Sequence, residues 1–167
     1  MVCRTAERGD ELGSRLLCAR LADDLMWLAF AVSRRWPPYA KWRGTAFRSL
    51  DVAQDLSGPL AAAAAAPDWR DRESGLAQAC EVLLNAQRAR GLPAPASAVT
   101  RFWDRPYRTV DGAVPQTLLA DITNPEVTGL PALIGSIEQW VSGVDFLSSP
   151  ARRAALRAAY MALAGVN

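Results

Sequence analysis

Between Asp10 and Trp36, apolar residues recur at helical spacing on two faces at once, and this double pattern constrains the fold more than any other stretch. Leu17, Leu21, Leu25, Leu28 and Val32 follow one another at steps of three and four, which draws one continuous apolar stripe. At about 100° per residue, Met26, Trp27 and Phe30 fall on the opposite side, so the helix is expected to lie between other elements. Pro37-Pro38 ends it, because proline has no N–H for the ladder and restricts the residue before it.

The rest of the chain is punctuated in the same way. Tyr39 to Leu50 reads as a short helix with Gly44 inside it. Asp51 is the expected N-cap of a helix that runs into the tract Ala61 to Ala66, with Gly58-Pro59 as a candidate break. Alanine has the best intrinsic helix propensity, so the tract reads as packed helix rather than linker. Pro67 and Asp68 open the next helix, through Leu76, Ala79, Cys80, Leu83 and Leu84, and Gly91 closes it as a C-cap. Leu92 to Arg108 is rich in proline and reads as loop, with Tyr107 to Val110 the one stretch of strand character. Short helices are expected near Pro115–Thr123 and Ile137–Val141, and a last one runs from Ser149-Pro150 to Gly165. The expectation is an all-α, single-domain irregular bundle of five to seven helices over residues 1–167, with residues 1–9 flexible and a Pro-rich loop in the middle.

Composition removes several function classes. The 167 residues hold no histidine, six tryptophans and three cysteines, with a net charge of +2. Without histidine the commonest general base and metal ligand are missing, and the serines have no base to pair with. Cys3, Cys18 and Cys80 form no CxxC pair, so no metal site and no cofactor are expected, and free thiols suit a reducing cytoplasm. The arginines are spread along the chain rather than gathered in a stripe, which argues against nucleic acid. No stretch of about 18 apolar residues runs without charge, which argues against a membrane span. The first fifteen residues carry acids and no apolar centre, unlike a signal peptide.

Nucleotidyl transfer needs a Gly-Ser turn followed by two carboxylates that grip one metal. Gly13-Ser14 is followed by Asp23-Asp24, adjacent acids on a helix, with Leu25 where the second acid belongs. Gly135-Ser136 is followed by Asp145 and fails likewise at Leu147. No such centre can be built from either.

Four groups remain as site candidates. Asp23 projects among Met26, Trp27 and Phe30, either as half of an ion pair that locks helices or as a site acid. The segment from Tyr39 to Arg48 interleaves Lys41, Trp42, Arg43 and Thr45, a set that can cradle an anion or stack on a planar ligand, or else is a short amphipathic helix with solvated cations. The loop from Arg101 to Arg108 repeats the mixture in Trp103, Asp104, Arg105 and Tyr107, and such loops either line sites or cap an exposed core. Asn85 could orient a ligand from the end of its helix.

Leu21 to Met26, leading into Tyr39-Ala40-Lys41-Trp42-Arg43-Gly44-Thr45-Ala46-Phe47, resembles a known family, and Arg105 to Arg108, Gly135 to Trp140 and Val144 to Leu147 continue the likeness in order. The chain resembles the helical domain of unknown function numbered 4037, found C-terminal to a small nucleotidyltransferase domain in many bacterial proteins. It departs from that pattern where Leu84, before Asn85, and Trp103, before Asp104-Arg105-Pro106, stand in place of family histidines, which implies an altered pocket. The resemblance implies a helical part that shapes the acceptor side of a cleft.

Taken together, these readings predict a bacterial helical domain that binds a small organic ligand, anionic or planar, in a pocket lined by Lys41, Trp42, Arg43, Thr45, Asn85, Trp103, Asp104, Arg105, Tyr107 and Gln139. High alanine, arginine and proline content places it in a GC-rich genome, where specialised metabolism is the expected context. The alternatives are a cofactor-free cyclase, isomerase or dehydratase in which Asp23 or Asp145 moves protons, and an assembly module for a separate nucleotidyltransferase or a second copy of itself.

Overall fold

The structure, a computed structural model, describes residues 1–128, 141, 143–163 and 165. It divides into two compact units, Met1–Asp121 and Ile122–Asn167. The fold is all-α apart from one small hairpin, with nine helical segments among the described residues against the five to seven expected.

The first unit begins with α1 (Val2–Ala6), a five-residue helix in the segment expected to be flexible. Val2 and Cys3 are buried, and contact with the following helices holds the segment in place. Helix α2 (Glu11–Val32) starts where Asp10 accepts a hydrogen bond from the Gly13 N–H at 2.8 Å. It stops four residues short of the expected Trp36. Arg34 takes a left-handed conformation (φ 55°), with Arg34 N–H donating to the Ala31 carbonyl and Arg35 N–H to that of Phe30. This is the double bond pattern that normally closes on glycine, so the arginine gave no signal in the sequence.

After α3 (Ala40–Phe47) comes α4 (Ala53–Ala65), whose N-cap position is Val52 rather than Asp51. It runs unbroken through Pro59. Helix α5 (Trp69–Ala89) opens on Asp68, which accepts from the Arg70 N–H at 2.7 Å, and ends before Gly91 (φ 72°) as expected. α4 and α5 meet at Gly75: a Cβ there would stand 2.8 Å from the Ala63 nitrogen and 2.9 Å from the Pro59 carbonyl oxygen. The alanine tract lets the helices approach, and Ala63 is fully buried against the seam.

That close seam decides which face of α2 is core. Small residues fit it, so Ser14, Cys18 and Ala29 are buried together with Phe30, while Leu21 and Leu28 of the expected apolar stripe are exposed. The main core joins Ala29 and Phe30 to Phe47, Leu50, Leu56, Leu60, Ala79 and Leu83. At the other end of the seam Arg72, 1% exposed, holds three elements together. Its Nη1 and Nη2 donate to the two Glu11 carboxylate oxygens at 2.7 Å each, Nη2 to Ser14 Oγ at 3.1 Å, and Nη1 to the Ala66 and Pro67 carbonyls at 3.1 and 3.2 Å.

The Pro-rich stretch is not all loop. β1 (Val99–Arg101) pairs antiparallel with β2 (Arg108–Val110) in the register Val99 with Val110 and Arg101 with Arg108. The hairpin lies on α5, where Arg108 donates to Glu73 through its backbone N–H at 2.7 Å and its guanidinium at 2.8 and 2.9 Å. Helix α6 (Ala113–Asp121) ends the unit, two residues earlier than expected at both ends.

In the second unit α7 (Pro125–Thr128) and α8 (Val144–Leu147) are single turns, and α9 (Pro150–Leu163) begins as expected at Ser149-Pro150. The Arg152 guanidinium lies 5.3 Å from the Phe146 ring and donates to the Asp145 carbonyl at 3.0 Å. The helix expected over 137–141 falls, apart from Val141, outside the described residues. Among the described residues, no helix is long and apolar enough to cross a membrane.

Candidate functional site

The residues expected to form one pocket occupy separate places. Arg43 is 3% exposed, and its Nη1 donates to both oxygens of Asp23 while its guanidinium lies 4.8 Å over the Trp27 ring. Asp23 thus belongs to the pair that fastens α3 to α2, the locking alternative raised by its neighbours. Lys41 Nζ sits 5.3 Å from the ring of Trp42 next to it, and both side chains, like Thr45, face outward. Asn85 is exposed and accepts from Arg88 Nη1 at 2.7 Å. Asp145 is exposed in the second unit, and Gln139 lies outside the described residues.

The hairpin turn gathers the other four. Tyr107, 6% exposed, stacks on Phe102 at 5.7 Å and meets the edge of Trp69 at 6.2 Å, which anchors the turn to the start of α5. Above it Trp103 is 84% exposed with φ at 55°, and Asp104 and Arg105 are exposed 4.0 Å apart. Together with Arg4 and Phe102 these side chains surround a shallow space of about 290 Å³.

A larger cleft of about 560 Å³ opens between α1, α2, α5 and the hairpin. Leu17, Leu21 and Leu25 form one wall, Leu76 and Ala77 the floor, and Val99 and Val110 the far side. Leu17, Leu21 and Leu25 of the α2 stripe therefore line the cleft, and Leu17 and Leu25 also pack against the core. Charged groups stand at its edges: Arg20 and Asp24 one turn apart on α2, and the Glu73–Arg108 pair opposite. The side-chain hydrogen bonds from Arg108 hold the Glu73 carboxyl below the usual carboxylate range. Asp24 moves the other way. Partial burial, reinforced by the neighbouring Asp23 charge, raises it against the pull of Arg20 and Arg43.

Cys3 and Cys80 also line the cleft, and burial, with the Glu73 and Glu81 carboxylates nearby, pushes both thiols up to about 11. They are neutral near pH 7 and act as small apolar groups rather than nucleophiles. Among the described residues, no three His, Cys, Asp or Glu side chains converge to hold a metal.

Sequence reasoning singled out Asp23 and passed over Asp24. The signal was present, since Leu17, Leu21 and Asp24 lie at steps of four and three on one helical face. Glu73, Leu76, Ala77 and Cys80 repeat the pattern on α5, and the two faces meet across the cleft.

No curated protein and no solved structure matches the chain. A family model does match it over residues 1–43, through α1 and α2 and into α3, where the Asp23–Arg43 pair closes. Over that segment, which supplies the α1 and α2 sides of the cleft, the chain is similar to the Domain of unknown function (DUF4037).

Proposed function

We propose that the cleft between α1, α2, α5 and the hairpin is a binding site for a small, mainly aliphatic molecule. The observation that carries this reading is the combination of about 560 Å³ of space, an aliphatic lining and a few charged groups confined to the edge. Ligand sites are typically of this size and character, with sparse polar groups that fix orientation. Of the aromatic and arginine side chains first expected to line the pocket, Arg43 pairs with Asp23, and Tyr107 is packed against Phe102 and Trp69. Binding fits these groups better than bond-making. The thiols are neutral and Glu73 is held by Arg108, which leaves Asp24 as a rim carboxylate without a hydrogen-bonded partner among the described residues.

The test is a titration with n-octanol followed by methyl NMR. Burying roughly 250 Å² of alkyl surface at about 25 cal/mol per Å² gives about 6 kcal/mol before the cost of immobilisation, so saturation is expected at millimolar concentration or below. Shifts should concentrate on Leu17, Leu21, Leu25, Leu76, Val99 and Val110, and Leu21→Arg should remove them while the far-UV CD spectrum is unchanged. Shifts that never saturate, or that spread over Leu28 and the core methyls of Leu56 and Leu83, would refute the assignment.

A further inference from the structure

The turn between the two strands carries an independent site. Trp103 combines two unfavourable features: a bulky residue in a left-handed backbone conformation, and an indole that is 84% exposed. Nothing in its own turn offsets either, because the packing there is done by Phe102 and Tyr107 beneath it. Beside the indole stand Arg4 from the last turn of α1 and Arg105 from the turn itself. Among the described residues Arg4 makes no side-chain hydrogen bond, and Arg105 meets Asp104 across 4.0 Å with both groups in solvent. Two guanidinium groups and one carboxylate leave the space with a net positive charge.

We infer that this space binds a planar aromatic acid, its ring stacked on Trp103 and its anionic group held by Arg4 and Arg105. An exposed indole offers a flat face of negative quadrupole to a ring, and guanidinium forks match carboxylate or phosphate oxygens. The Tyr107–Phe102 stack, braced by Trp69, packs the base of the turn against the start of α5. The aliphatic cleft offers neither a ring face nor two unengaged arginines, so the two sites take different chemistry.

The experiment follows the Trp103 indole N–H resonance of the whole chain against four probes at low salt. These are 2-naphthoate, 2-naphthyl phosphate, cyclohexanecarboxylate (an anion without a flat ring) and 2-naphthol (a ring without the anion). At least one of the two naphthyl acids is expected to bind about tenfold tighter than both partial probes, and the tighter of the two identifies the acid group. Trp103→Ala should weaken it about tenfold and Arg105→Gln about threefold, with a flatter salt dependence. Saturating n-octanol should leave the affinity unchanged, which separates this site from the cleft. Equal binding of 2-naphthoate, 2-naphthyl phosphate and cyclohexanecarboxylate, or full affinity in Trp103→Ala with unchanged CD, would overturn the inference.

Discussion

Replacing Arg72 by methionine tests whether the buried guanidinium is the fastening of the first unit. Methionine follows much of the arginine stem, so the apolar channel stays filled and no large cavity term enters. What is lost is the set of donors. Glu11 and Pro67 are exposed and regain water, but Ser14 Oγ and the Ala66 carbonyl belong to buried residues and lose a partner. Two buried acceptors at about 1–2 kcal/mol each give a loss of about 3 kcal/mol. At about 4 °C per kcal/mol for a unit of this size, the midpoint should fall by about 12 °C. Thermal unfolding followed by tryptophan fluorescence reads it, because Trp27, Trp36, Trp42, Trp69 and Trp103 all lie in Met1–Asp121. Ser14→Ala, which removes one of the two acceptors, should cost about 1 kcal/mol. A loss below about 1 kcal/mol in Arg72→Met would show that water already serves those acceptors and that the reasoning is wrong.

Three further outcomes follow from the same geometry. Because the folded Glu73 carboxyl sits below its unfolded value of about 4.3, its contribution is complete above that pH and is lost as pH falls through the folded value. The gap in urea midpoint between the wild type and Glu73→Gln should thus be widest near neutrality and close toward pH 3, and a gap that does not change with pH would contradict the pair. Gly75→Ala should destabilise by about 2–3 kcal/mol, since the added carbon meets the backbone of α4 rather than a flexible side chain. An unchanged melting temperature would mean the helices separate freely. With thiols near 11, Cys3 and Cys80 should react with a disulfide reagent roughly tenfold faster per pH unit between pH 7 and 10, and more slowly when n-octanol fills the cleft. Fast reaction at pH 7 would place the thiols in a polar setting.

The long helices were legible because their signals are local. Periodicity drew α2 and α5, the alanine tract's propensity drew α4, and Asp68, Gly91 and Ser149-Pro150 marked ends by their own backbone chemistry. Half of the hairpin was legible, in the strand character of Tyr107 to Val110, but β1 was not, because a strand of three residues carries no alternation and depends on α5 for support. Arg34 and Pro59 broke local rules, the one by ending a helix and the other by not ending one. The residues expected to share one pocket lie apart for a different reason. Cations beside aromatics look unsatisfied in a sequence, yet Arg43 finds Trp27 and Asp23 within its own fold. Leucines at regular spacing look like core, yet the close α4–α5 seam admits only the small-residue face of α2.

The seam at Gly75 also sets which parts of the molecule breathe. Backbone against backbone leaves no side chain to rotate away, so the floor of the cleft, carried by Leu76 and Ala77, is mounted on a close-packed pair of helices. The opposite boundary is a five-residue helix and two three-residue strands, elements with few internal bonds of their own. A difference in local stability between this rim and the α4–α5 base is the expected consequence. Amide hydrogen exchange would register it as fast exchange in α1 and the hairpin beside slow exchange along the middle of α5.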